Sequence, residues 1–180
     1  MTALHKAQGI SYIKTVGKDT GLLLNFGGPA PEFSRLFFNP AKKPLAESRA
    51  DMQPDPSADW LYPTLVYQIV GGLYEVHNLL GAGYVHRIYC HACDHEMRLT
   101  GLDSKLQKRM QATYKDIVLG DIAFGHLVVE GNVMVFPVAV GSLRSIHLEN
   151  LKRWMRLCNI RLGILANFDA IRLEVEFIRT

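Results

Sequence analysis

Two stretches of this chain carry one pattern at a fixed separation, and that repetition limits what it can fold into more than any single motif does. His5, Gly21, Leu23, Asn25 and Phe26 reappear as His147, Gly163, Leu165, Asn167 and Phe168, each 142 positions on and without a gap. Gln8/Asn150, Tyr12/Trp154, Ile13/Met155 and Lys14/Arg156 are chemically close pairs in the same register. Each copy reads as an amphipathic helix, a short apolar strand (Leu22 to Phe26, or Ile164 to Phe168) and a second strand ending near Phe38 or Ile178. A helix and two strands cannot bury both faces of their sheet. Each copy is therefore predicted to be half of a fold.

Three segments follow. Residues 1–38 are the first partial repeat, residues 39–62 form a proline-rich polar linker, and residues 63–180 form a domain. Within the domain, Val66, Ile69, Val70, Leu73, Val76, Leu79 and Leu80 fall at helical spacing, predicting a helix from Leu65 to Leu80 that Gly81-Ala-Gly83 stops. A second helix is predicted from Tyr84 to Leu99, closed by Thr100-Gly101. After residue 105 the period becomes two, and Met110–Tyr114, Asp116–Leu119, Ala123–Val129 and Val133–Val140 read as four strands, the last two joined by Glu130-Gly131-Asn132. A helix from about His147 to Cys158 and the second-copy strands complete an α+β fold, a mixed β-sheet flanked by helices with an N-terminal helix-strand-strand half-repeat.

Composition narrows the function classes. With 48% hydrophobic and 21% charged residues in 180, the chain has the balance of a folded globular protein. A net charge of +3 is too small to argue by itself for nucleic acid or a membrane surface. The longest apolar run, Val133 to Val140, includes Pro137 and falls far short of the ~18 residues a membrane span needs. Three cysteines cannot all pair, and no apolar core follows the first residues. A reducing cytoplasm is the expected location.

Glu75-Val-His77, the run Leu80-Gly-Ala-Gly83-Tyr-Val-His86-Arg-Ile-Tyr89 and the closing Gly163-Ile-Leu-Ala-Asn167-Phe168 together resemble the GxxExxY proteins, within the PD-(D/E)XK nuclease-like superfamily. The first copy resembles a second C-terminal half of that family. The resemblance implies a metal-dependent phosphodiesterase, with an acidic residue on one strand and a Glu-x-Lys pair on the next. Carboxylates hold Mg²⁺, and a lysine two positions on shares their strand face. In the family register those positions are His126, Phe136 and Val138. The signature glutamate falls at His86, three residues before the signature Tyr89, and a helix glutamine falls at Asn150, although the first copy keeps Gln8. Phenyl and isopropyl groups offer a hard cation no oxygen. The expected protein is thus a catalytically degenerate binding or assembly module.

Two rival chemistries remain open on the sequence. His86, Cys90 and Cys93 fall within about 60° on one helix face and, with His126, would make a nitrogen and sulfur site suited to Zn²⁺. Small buried cysteines and half-exposed histidines in a filled-in pocket explain the same residues. An atypical nuclease using His86, His126, Asp121 or Glu130 as ligands is the other rival. Lys105, Lys108, Arg109, Lys152, Arg153 and Arg156 are candidate phosphate contacts, with Tyr114 and Trp154 as stacking surfaces, against the alternative of an ordinary solvated face. Trp154, matching Tyr12, is expected to pack inward. The apolar side chains of residues 1–38 need a cover, either this chain's own sheet or a second subunit, and a homodimer through that segment is expected.

Overall fold

The computed structural model describes residues 2–38, 61–115 and 117–180. The expected linker lies outside the described residues except for Leu61 and Tyr62, as does Asp116. Helix α1 (Ala3–Thr15) starts at a capping box in which the Thr2 hydroxyl accepts from the His5 N–H and the His5 ring faces the Thr2 N–H. Strands β1 (Thr20–Asn25) and β2 (Glu32–Phe37) follow as an antiparallel pair. Helix α2 (Pro63–Leu80) opens with proline in its first turn, where a missing N–H leaves no helical bond unmade, and ends at Gly81, whose φ is 60°. Helix α3 (His86–Leu99) lies against it.

The strands are β3 (Ser104–Gln107), β4 (Met110–Tyr114), β5 (Ile117–Ile122), β6 (His126–Val129) and β7 (Val133–Val138), then, after α4 (Leu148–Leu157), β8 (Leu162–Asn167) and β9 (Glu174–Arg179). Five of them form a mixed sheet in the order β3-β6-β7-β8-β9, in which only β7 and β8 run parallel. A parallel pair needs a crossover, and α4 supplies it. Strands β4 and β5 form a separate hairpin arm between β3 and β6. The sequence pattern missed β3, because only Ser104 is buried and Lys105 and Gln107 are exposed. It also began β6 too early, since Ala123 to Gly125 lie outside the strand.

Strands β7 and β8 are buried on both faces. Val133 and Val135 join Ile164, Ala166 and Phe168 under α2 and α3, whereas Met134, Phe136 and Val138 join Leu165, Leu151 and Met155 under α4. The result is a sheet between two helical layers. Asn167, buried at the end of β8, ties three segments together: its amide donates to Val140 O and Glu174 Oε2 at 2.9 Å, and its oxygen accepts from Val140 N at 3.1 Å and Asp169 N at 3.2 Å.

Corresponding contacts occur in residues 2–38. Asn25 accepts from Gly27 N at 3.1 Å and faces Glu32 Oε2 at 3.5 Å, as Asn167 does with Asp169 and Glu174. Ile13 sits over Gly21, where an added Cβ would stand 2.5 Å from its Cδ1, and Met155 sits over Gly163, where a Cβ would stand 2.7 Å from its Sδ. Both helices end on a left-handed residue, Gly17 and Asn159, and on a 2.9 Å bond from Lys18 N to Ile13 O or from Ile160 N to Met155 O. The N-terminal unit rests against the α2–α3 turn. Lys14 Nζ donates to Leu80 O and Ala82 O and lies 4.1 Å from the Tyr84 ring centroid, and Ser11 Oγ donates to Gly83 O at 3.2 Å. Burial pulls the Lys14 amine down to about 8, while carbonyls at the negative end of α2 favour its charge.

Asn167→Ala would leave half-buried Val140 N and O without this partner and is expected to destabilise the chain by about 1–3 kcal/mol, whereas Asn25→Ala, in an exposed turn, should cost less than about 1 kcal/mol. Urea unfolding of the two variants compares them directly.

Candidate functional site

Positions 126, 136 and 138 converge in space. The β6–β7 register pairs Leu127 with Val135 and Val128 with Met134, which sets His126 beside Phe136, with ring centroids 5.8 Å apart. Val138 follows on the same face of β7, pointing with Phe136 toward α4. All three are buried. The space between them is occupied by rings: Phe124 stacks on His86 at 5.3 Å and lies 6.5 Å from His126 and 6.2 Å from Phe136. Trp154, from α4, meets His126 edge to face at 5.9 Å.

Hydrogen bonding fixes the state of His126. An indole N–H can only donate, so the 3.0 Å contact from Trp154 Nε1 makes His126 Nε2 the acceptor. The proton is then on Nδ1, which donates to Phe124 O at 3.1 Å. Both ring nitrogens are committed, and the lone pair that a metal would need faces an N–H. Burial holds the His126 pKa below its usual value of 6.5, and the charge of nearby His86 acts in the same direction.

His86 opens α3 and is half-buried, its pKa also lowered by burial. Cys90, one turn on, brings its Sγ to 3.5 Å from His86 Nε2 and from Gly125 O, and burial pushes its thiol up to about 12. Gly125 is needed here: a Cβ would stand 3.0 Å from Cys90 Sγ and 3.2 Å from His86 Nε2. Cys93 does not join this pair, because it is fully buried in the apolar core under α2. Among the described residues, no three His, Cys, Asp or Glu side chains come together as a metal-holding group. Tyr89 is structural in its contacts. Its hydroxyl donates to Gly81 O at 2.7 Å and accepts from Tyr84 N at 3.0 Å, and its ring stacks on Phe168 at 4.6 Å.

The arrangement is position 126 on one strand, positions 136 and 138 on the next, and a covering helix, all on one mixed sheet. The model of the PD-(D/E)XK nuclease superfamily matches residues 63–180. The chain belongs to this superfamily. No curated protein and no solved structure matches it. At positions 136 and 138 Phe136 and Val138 offer a hard cation no donor atom, and both nitrogens of His126 are engaged.

The remaining candidates are spread around the domain. Asp121 lies on the β4–β5 arm, 3.4 Å from Arg109, and Glu130 accepts from Asp103 N at 2.8 Å at the β6–β7 turn. Asn150 is exposed on α4. Lys105 pairs with Asp103 and Lys152 with Glu149. Lys108 lines a cleft of about 260 Å³ with His86, Cys90 and His91, at the mouth of the aromatic cluster. Arg156 lines a larger cleft of about 570 Å³ between α4 and the arm, with Tyr114, Lys115 and Arg153. Trp154 is half-buried over His126, but Tyr12, its counterpart, is 73% exposed. Among the described residues, no strand equivalent to β6 joins the β1–β2 pair beneath Tyr12.

Sequence reading did not single out Phe124, and an isolated phenylalanine before a glycine carries no periodic signal. The Trp154 bond to His126 was equally hidden, because it joins residues from different elements.

Protonating His126 would set an N–H against the Trp154 N–H in a buried site. The folded chain therefore keeps His126 and His86 neutral while the unfolded chain takes up protons near pH 6.5. Stability is fully present above that value and falls as pH descends through it toward the folded-state pKa. The unfolding midpoint should drop from pH 8 to pH 5, with a flatter profile in His126→Gln. Trp154→Phe should cost about 1–3 kcal/mol at pH 8 by orphaning Nε2, measurable by thermal denaturation.

Proposed function

We propose that this chain is a catalytically silent, GxxExxY-like member of its superfamily that acts as a binding or assembly module, with residues 1–38 a duplicated C-terminal half of such a domain. The observation that carries this reading is the state of His126, whose two nitrogens are bonded to Phe124 and Trp154 inside a ring cluster that fills the site. Loss of a principal catalytic group typically lowers rate by about two to six orders of magnitude, and the acid, the glutamate and the lysine are replaced together. The matched contacts of Asn25 and Asn167, and of Ile13 and Met155, support the duplication.

Nucleic acid is the binding partner that the superfamily suggests. The cleft holding Lys115, Arg153 and Arg156 beside Tyr114 has the cations and the exposed ring that a phosphate backbone and a base require. A homodimer through residues 1–38 belongs to the same reading, as does a reducing cytoplasmic location, in keeping with three unpaired cysteines. Zinc held by His86 and Cys90 is the second reading, favoured by their 3.5 Å approach.

Purified protein incubated with plasmid and single-stranded DNA in Mg²⁺, Mn²⁺ or Zn²⁺ should cleave neither. Nicking that follows the protein through purification and disappears in His126→Ala would overturn the reading. Elemental analysis should find well under one zinc per chain, and one equivalent lost in Cys90→Ser would establish the zinc site instead. Binding of a labelled oligonucleotide, followed by anisotropy, should weaken in Arg156→Glu, with a salt slope smaller by about 1.

A further inference from the structure

The β1–β2 pair is covered on one side only. Its inner face, Gly21, Leu23 and Leu36, lies under α1. Its outer face carries Leu22 at 60% exposure, Leu24 at 50%, Phe26 at 73%, Phe33 at 76% and Phe37 at 65%. The register puts Leu24 directly opposite Phe33, so these side chains form one continuous patch.

The domain shows what such a face needs. Ile164, Ala166 and Phe168 occupy the matched positions on β8 and are fully buried under α2 and α3. Those two helices are already committed to that face, and among the described residues nothing comparable covers the first one. Five large apolar side chains at these exposures amount to roughly 600 Å² per copy, near the ~800 Å² per partner of a standard interface and at the upper limit of what a monomer leaves open.

We infer that the outer face of β1–β2 is a dimerisation surface occupied by the same face of a second copy of this chain. This rests on the assembly reading above and specifies its surface. Two such faces stack about 10 Å apart around a two-fold axis, giving an α1-sheet-sheet-α1 sandwich whose outer sides are already covered. On this face Leu22, Leu24 and Phe26 run along β1 and Phe37, Arg35 and Phe33 along β2, so a two-fold axis parallel to the strands sets β1 against β2 of the copy and brings Leu24 of each onto Phe33 of the other. Arg35, the charged residue on this face, lies on β2, whose far edge is open, so its stem packs while its guanidinium reaches water at the rim. A helical or extended partner of another kind has no such match in the chain.

Sedimentation of the full chain across a concentration series should give a species of twice the 20.2 kDa monomer mass. Leu24→Glu and Phe33→Glu, both at exposed positions, should shift it to monomer, raising the dissociation constant at least ~100-fold with an unchanged circular dichroism spectrum. Tyr67→Glu, an equally exposed site on α2, should leave the dimer intact. A chain that stays monomeric up to ~0.1 mM, or a dimer indifferent to both substitutions, would overturn the inference. DNA cleavage is read separately from mass, so a failed dimer and a failed pseudoenzyme assignment are distinguishable.

Discussion

The parallel pairing of β7 with β8 is the constraint on which the rest of the domain depends. Two parallel neighbours cannot be joined by a tight turn, so the chain must leave the sheet after Val138 and return before Leu162. Helix α4 makes that return across one face while α2 and α3 cover the other. The crossover determines what lies above β6 and β7: Trp154 is placed over His126, Met155 over Gly163 and Leu151 over the Phe136 side. What surrounds His126 and Phe136 is thus set by the same helix that makes the sheet possible.

The cluster at these positions is packed as core. Carboxylates and a lysine on those strand faces would need a cation, water and one another to offset the loss of solvent. Histidine, phenylalanine and valine need none of these. The imidazole's single N–H and single lone pair are each matched once, and the surrounding rings satisfy the remaining surface.

The two matched segments make a controlled comparison within one molecule. Their local structure agrees down to the helix stop, the glycine under the helix and the asparagine clip, because each of those contacts is made within about 35 residues of chain and needs no outside partner. Burial agrees on the inner face, where Ile13 and Leu36 are buried as Met155 and Ile178 are, and differs on the outer face. Phe168 is sealed and Phe26 is open; Trp154 has His126 beneath it, whereas Tyr12 is exposed. Local sequence repeats the hairpin and its helix, but the value of an apolar residue depends on what the rest of the fold sets against it.

Much of the fold was legible from spacing. The 3.6-residue period of Val66, Ile69, Leu73 and Val76, the short apolar run of β7 and the repeat at Gly163 and Asn167 gave the helices, most strands and the superfamily resemblance. Strand β3 was not legible, since polar Ser104, Lys105 and Gln107 make it a strand only by pairing with β6. Cys93 looked like a neighbour of His86 on a helical wheel, yet its burial under α2 was decided by helix–helix packing. The sequence by itself determined which side chains stand at positions 126, 136 and 138, because identity is independent of geometry. Only the tertiary structure decided that both nitrogens of His126 are spent, because Phe124 and Trp154 come to it from a loop and from a helix beyond the next strand, and no local pattern records a hydrogen bond across the fold.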